Sequence, residues 1–154
     1  MRLLLLISFF LFTSPSFSQS DWDRCFKAAS VKFGVDHRLL IAIAEVESNM
    51  NPNAIGLNKR SGKVISEDVG LMQINSSWFP TLARMGITRN DLLENPCQNI
   101  YVGAWILAKN VSSNGVNWES VGAYNAGFKQ ANAALRLKYA KKVYEKYLIH
   151  ANSR

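Results

Sequence analysis

The chain has 154 residues, 48% of them hydrophobic, 11% aromatic and 19% charged. That length holds one compact domain of the usual ~100–150 residues and no second core, and the aromatic content excludes a disordered chain. The formal charge of +7 bears on partners and not on fold, and leaves nucleic acid, anionic membrane surface and anionic wall polymer open.

Arg2, the apolar run Leu3 to Phe12 and the small polar residues after it stand in the order of a secretory signal peptide, whose apolar region is ~7–15 residues long. Ser16-Phe17-Ser18 supplies a small-x-small cleavage site, so residues 1–18 are expected to leave and residues 19–154 to fold. The run is too short for a bilayer span of ~20 residues, so export without stable membrane insertion is expected. In an oxidising compartment the only two cysteines, Cys25 and Cys97, pair as a disulfide. It closes a loop of about 73 residues and contributes roughly 4 kcal/mol in the chain-entropy model. Two Cys and two scattered His are too few for a zinc site, and His37 and His150 read as solvated helix residues.

Ser20 or Asp21 caps a first helix to Phe33, with Gly34 as its stop. Asp36 caps a second, in which Leu39, Leu40, Ile43 and Val46 form an apolar stripe, and Pro52 ends it near Asn49. Between Asn53 and Asn75 clustered Asn, Gly and Ser separate short apolar pieces, which predicts loops with a small irregular sheet. Helical pattern resumes from Ser77. Thr88 caps a short turn ending at Asn95-Pro96, and a long helix runs from Cys97 to about Asn110. Asn117 starts a helix that stops at Gly127, and a last one, Leu135 to His150, carries Arg136, Lys138, Lys141, Lys142 and Lys146. The fold class is α+β, mainly α, with a loop-rich β insertion.

Three features carry chemistry. Glu47 stands near the C-terminal end of an otherwise apolar helix, where desolvation and the negative end of the helix dipole both raise a carboxyl pKa toward the range useful to a general acid. Its neighbour Glu45 points to another face. From periodicity alone, a solvated surface acid is the commoner fate of such a residue. Asp68 precedes Gly70-Leu71-Met72-Gln73-Ile74-Asn75 in the insertion. Two carboxyls facing one cleft are the equipment of glycoside cleavage, while a lone loop Asp more often caps a turn. Ala123-Tyr124-Asn125-Ala126-Gly127 puts a phenol and an amide at a helix end, suited to N-acetylated sugars, although Asn-Ala-Gly alone is a plain helix stop.

In this order the three features resemble the lytic transglycosylase family with the lysozyme-like fold. The first motif is Glu47-Ser48 with Pro52 and Ala54 downstream, the second Gly70 to Asn75, the third Ala123 to Gly127. Tyr139 with Lys142-Val143 fits the fourth element. The chain's length, exported start and cysteine contexts are similar to those of the small transglycosylases that accompany secretion and pilus machines, the invasion-protein type. The resemblance implies that Glu47 protonates the glycosidic oxygen between N-acetylmuramic acid and N-acetylglucosamine. The muramyl 6-hydroxyl then attacks the anomeric carbon, giving a 1,6-anhydro end with neither metal nor cofactor. It implies that Met72, Gln73, Asn75, Tyr124 and Asn125 line the cleft, that Ser48 supports it, and that Tyr139 holds Glu47 or the substrate. Asp68 is implied either to steady the oxocarbenium-like transition state or to turn the outcome toward hydrolysis.

The expected partners are peptidoglycan glycan strands in the periplasm and components of a secretion or pilus apparatus. The basic last helix serves either as a guide along the polymer, as a docking face, or as a solvated face. A lysozyme-type hydrolase and a non-catalytic wall-binding module are the rival readings. Nucleic acid is set aside, because export and the lack of a base-reading motif speak against it.

Overall fold

The computed structural model describes residues 19–152, so the expected leader over residues 1–18 lies outside the described residues. In chain order the elements are α1 (Gln19–Phe33), α2 (His37–Ser48), β1 (Ile55–Arg60), β2 (Lys63–Val69), β3 (Ile74–Asn75), α3 (Phe79–Arg84), α4 (Arg89–Glu94), α5 (Pro96–Asn114), α6 (Trp118–Ala126) and α7 (Ala133–Asn152). Short 3-10 turns, Ser76–Trp78 and Gln130–Asn132, lead into α3 and α7. The protein is mainly helical with one small antiparallel sheet in the order β1-β2-β3.

Local sequence sets the helix ends. Asp36 accepts a hydrogen bond from the Arg38 amide at the start of α2, satisfying one of the first turn's unpaired donors. Asn49 ends α2 in the left-handed conformation, its N–H returning to the carbonyls of Ala44 and Glu45, and Met50 is left-handed as well. These two residues reverse the chain directly after Glu47. Thr88 and Asp91 form a reciprocal capping box on α4. The α5 helix starts with Pro96 in its first turn under an Asn95 cap. It runs on past Asn110 to Asn114, because nothing in Val111-Ser112-Ser113 breaks it before Gly115 at φ +84°.

The core surrounds α5, whose Ile100, Ala104 and Leu107 are fully buried together with Leu40 and Ile43 of α2 and with Leu71 and Met72. Burial of each large apolar side chain there stabilises the fold by roughly 1.5–3 kcal/mol. The Cys25–Cys97 disulfide joins α1 to the first turn of α5, with the Cα atoms 5.4 Å apart.

Two expectations about the last helix are corrected. Arg136 is not part of an exposed basic face: it is 6% exposed. Its guanidinium donates to Glu119 Oε2 at 2.6 Å and to the carbonyls of Gly127 and Lys129. A planar fork of donors can satisfy three acceptors at once, which is why Arg and not Lys occupies this place. His150 is not free in solvent either, since its Nε2 lies 3.0 Å from Glu45 Oε1. That pair fastens the end of α7 to α2, and Glu45 does face away from the cleft side of its helix.

Candidate active site

Glu47, Asp68, Gln73, Asn75, Tyr124 and Asn125 all line one cleft of about 900 Å³, at the upper end of the ~300–1,000 Å³ usual for ligand sites. The α2 helix delivers Glu47 in its last turn, the sheet delivers Asp68 and Asn75, and the end of α6 delivers Tyr124 and Asn125.

Glu47 is partly buried, and Tyr139 from α7 donates its hydroxyl to Glu47 Oε1 at 2.6 Å. Burial pushes the Glu47 carboxyl up to about 7. The Tyr139 hydrogen bond opposes that rise and the negative charge of Asp68 adds to it. The result is a carboxyl that carries a proton near neutral pH and gives it up readily, as a group that donates and later accepts a proton requires. Tyr139 is 6% exposed, and burial together with the Glu47 charge raises its phenol well above its ordinary range. It is therefore a fixed donor throughout.

Asp68 stands between β1 and β3 in register with Gly56 on one side and Asn75 on the other. Asn58 Nδ2 donates to its Oδ2 at 2.7 Å and Asn75 Nδ2 to its Oδ1 at 2.8 Å. Both oxygens accept amide hydrogens. The two carboxyls thus differ: one is desolvated under a phenol, the other is solvated by amides.

The loop Gly70-Leu71-Met72-Gln73 between β2 and β3 is held from beneath. Asn99 of α5 is fully buried. Its Oδ1 accepts from the Met72 amide at 2.7 Å and its Nδ2 donates to the carbonyls of Val69 and Leu92, each at 3.0 Å. Gly70 permits this knot, because a Cβ there would lie 2.2 Å from Asn99 Nδ2. Gln73 takes a left-handed φ of 47°, and its side-chain amide donates to the carbonyls of Ala54 and Gly70. Gly56 leaves it room, since a Cβ there would come within 3.0 Å of Gln73 Oε1.

Of the residues expected to line the cleft, Met72 sits elsewhere, while Ser48 and Tyr139 act on Glu47 from outside it. Met72 is fully buried and packs under Gly103; only its carbonyl meets the cleft residues, by accepting from the Tyr124 hydroxyl at 2.9 Å. Tyr124 is thereby fixed from α6 to the sheet loop, and burial raises its phenol well above its ordinary range, with the Glu47 and Asp68 charges adding to the rise. Ser48 faces inward and braces the turn after Glu47, donating toward the carbonyls of Ala44 and Leu71 while its oxygen accepts from the Asn51 amide. Tyr139 lies behind Glu47 and does not line the cleft. Cys25 and Cys97 are remote from it. Among the described residues no three His, Cys, Asp or Glu side chains come together as a metal cage.

Sequence reasoning passed over Asn99, Asn58, Trp78, Asn110, Lys129 and Asn132. All but Asn99 line the cleft. The signal for Asn99 was present as an amide one residue from Ile100 in a helix that is otherwise apolar on that side.

The transglycosylase SLT domain family matches residues 24–147 of the chain. The chain is 46% identical over 126 residues to invasion protein IagB of Salmonella typhimurium LT2, covering 82% of this chain and 76% of that protein. It is 44% identical over 140 residues to a peptidoglycan-binding-like protein of Escherichia coli O157:H7, covering 89% and 82% respectively. The fold superposes with a TM-score of 0.63 on an inactive mutant of lytic transglycosylase Slt from Pseudomonas aeruginosa. That match has 21% identity over 82% of this chain and spans only 23% of that enzyme. A family match over most of the chain, with a helical fold of the same kind, leads to one conclusion: the chain belongs to the transglycosylase SLT domain family, the peptidoglycan lytic transglycosylases.

Proposed function

We propose that the cleft cuts the β-1,4 bond between N-acetylmuramic acid and N-acetylglucosamine and leaves a 1,6-anhydromuramyl end. The observation that carries this is a carboxyl raised to about 7 under a 2.6 Å phenol hydrogen bond, in the same cleft as a second, amide-held carboxylate. Protonated Glu47 donates to the glycosidic oxygen as the bond to the muramyl anomeric carbon breaks. The muramyl 6-hydroxyl then closes on that carbon, and Glu47, now ionised, takes the hydroxyl proton. One bond breaks, one forms, the proton returns to Glu47, and no water is consumed. Asp68 faces the developing positive charge as a carboxylate and steadies it. Gln73, Asn75, Tyr124 and Asn125 orient the N-acetyl groups, while Ser48 and Met72 act through the backbone that they brace.

A second reading, hydrolysis of the same bond, draws on the presence of Asp68 in the cleft, because a paired carboxylate also suits attack by water. Mass spectrometry of muropeptides released from purified peptidoglycan separates the two. Products one water lighter than reducing sugars support the transglycosylase reading, and reducing ends support the hydrolase. Loss of both in Glu47→Gln identifies the acid. The resemblance of the chain's motifs to the small transglycosylases that accompany secretion and pilus machines, together with the likeness to an invasion protein, supports a role in opening the wall locally for such an apparatus. The leader-like residues 1–18 support export to the periplasm.

A further inference from the structure

Apart from Lys129, the cleft residues named above are amides, the Tyr124 phenol, the Trp78 indole and two acids, groups that answer the hydroxyl and N-acetyl substituents and the apolar faces of a neutral sugar. Asn58, Gln73, Asn75, Asn110, Asn125 and Asn132 carry no charge, protonated Glu47 carries none either, and neither acid of the cleft attracts an anion. Among the described residues lining the cleft, Lys129 is the one cation. It has no carboxylate partner among the described residues, unlike Arg89 with Glu67 or Arg136 with Glu119.

The position of Lys129 is built. Its carbonyl accepts from Arg136 Nη1 at 2.8 Å and from the Asn132 amide at 2.9 Å. The neighbouring carbonyl of Gly127 accepts from the same Arg136 nitrogen at 3.1 Å. Asn132 Nδ2 donates to Ala126 O at 2.6 Å, closing the loop on the end of α6. Arg136 is itself held by Glu119, and the guanidinium is almost wholly out of solvent. Hydrogen bonds with a charged donor are the stronger ones, and here they fix the backbone of a single surface lysine. A cation on a fixed backbone loses less conformational freedom when it binds an anion.

We propose that Lys129 makes the cleft selective for glycan strands that still carry stem peptides, by pairing with a peptide carboxylate. This rests on the proposed wall-cleaving function and names the substrate class for it. Muramic acid bears its peptide on the lactyl group, so a bound strand places anionic substituents at the cleft margin, where Lys129 supplies the complementary charge. A strand stripped by an amidase keeps a single lactyl carboxylate close to each muramyl ring, so it lacks the several carboxylates further out on the stem peptide and gains less from Lys129.

The test compares wild type, Lys129→Gln and Lys129→Arg on peptide-bearing strands and on strands stripped by an amidase, each reported as kcat/KM. Wild type is expected to favour peptide-bearing strands. Lys129→Gln should lower that preference by roughly two- to fivefold, mainly through KM, and Lys129→Arg should restore it; this is the scale of one exposed ion pair. Added salt should erode the wild-type preference and leave the Gln variant's nearly flat. An equal loss on both strands, or an unchanged preference, overturns the proposal. Equilibrium binding of a soluble disaccharide with and without its tetrapeptide keeps the two readings apart. If wild type cuts neither strand, the wall-cleaving function fails, while a Lys129-dependent gain in affinity from the peptide still upholds this inference and its absence overturns it.

Discussion

Tyr139 donates its hydroxyl to Glu47 Oε1 at 2.6 Å from a helix that lies 92 residues further along the chain. The contact decides the chemistry of the cleft. It holds the carboxyl in one orientation and opposes part of the rise in pKa that burial imposes. Asp68 acts on the same carboxyl with the opposite sign, through its charge.

The pH dependence of cleavage should therefore move in opposite directions in two variants. In the proposed mechanism cleavage needs protonated Glu47, so activity should fall as pH rises through about 7. Tyr139→Phe removes the hydrogen bond that lowers the Glu47 pKa and should shift this alkaline limb upward. Asp68→Asn removes the charge that raises it and should shift the limb downward. Each variant should also lose roughly 100-fold in kcat, the lower end of the range typical of assisted proton transfer. Muropeptide release measured across pH checks both directions.

Glu47 should also cost the fold stability at alkaline pH. Its folded pKa of about 7 stands above the ordinary value of 4.5, so the folded protein keeps a proton that the unfolded chain has already released. The stabilisation is full below 4.5 and is lost as pH climbs to about 7. Glu47→Gln has no such dependence. Near pH 8 it should be more stable than wild type by about 3 kcal/mol, and near pH 4 the advantage should vanish. Thermal unfolding of both proteins at the two pH values is the check, and it should find the inactive protein the more stable one.

Asn99→Leu should destabilise the protein by about 2–4 kcal/mol, because three backbone groups lose their buried partner. The loop carrying Met72 and Gln73 should loosen with it. Urea unfolding gives the magnitude, and faster amide exchange at Met72 reports the loop.

Gly122→Ala should separate α6 from α7. The new Cβ would lie 2.5 Å from the carbonyl oxygen of Arg136, which is backbone and cannot turn aside. Overpacking of this kind costs about 1–3 kcal/mol. It also moves Tyr124 relative to Tyr139, so kcat should fall by more than the stability loss alone explains at a temperature where the variant is fully folded.

Reducing the Cys25–Cys97 disulfide should lower stability by roughly 4 kcal/mol on the chain-entropy account. Thermal unfolding with and without a thiol reductant measures it. Because the bridge lies away from the cleft, the reduced protein should keep its activity while it stays folded.

Much of the molecule was legible in the chain because it is written locally. Helix ends follow from Asp36, Pro52, Thr88 and Pro96, whose side chains or fixed φ angles act locally. The mainly helical class, the small sheet after Pro52 and the motif residues Glu47, Gln73 and Tyr124 could be read in the same way. The cysteine pairing followed from there being only two. Periodicity left Glu47 undecided between a surface acid and a desolvated one, since that question concerns what packs against it.

Only the tertiary structure answered it, because pKa, burial and orientation are set by residues distant in sequence. Tyr139 reaches Glu47 across the helix packing. Asn99 ties a loop far upstream of it in the chain, and Arg136 leaves an apparent basic face to clamp the loop at Lys129. Met72 and Ser48 stand in the motifs beside Gln73 and Glu47, yet the fold turns both inward. Sequence determined which chemical groups this protein owns and where its helices begin and end. The fold decided which two carboxyls share a cleft and raised the pKa of one of them, because desolvation depends on neighbours that only packing brings together.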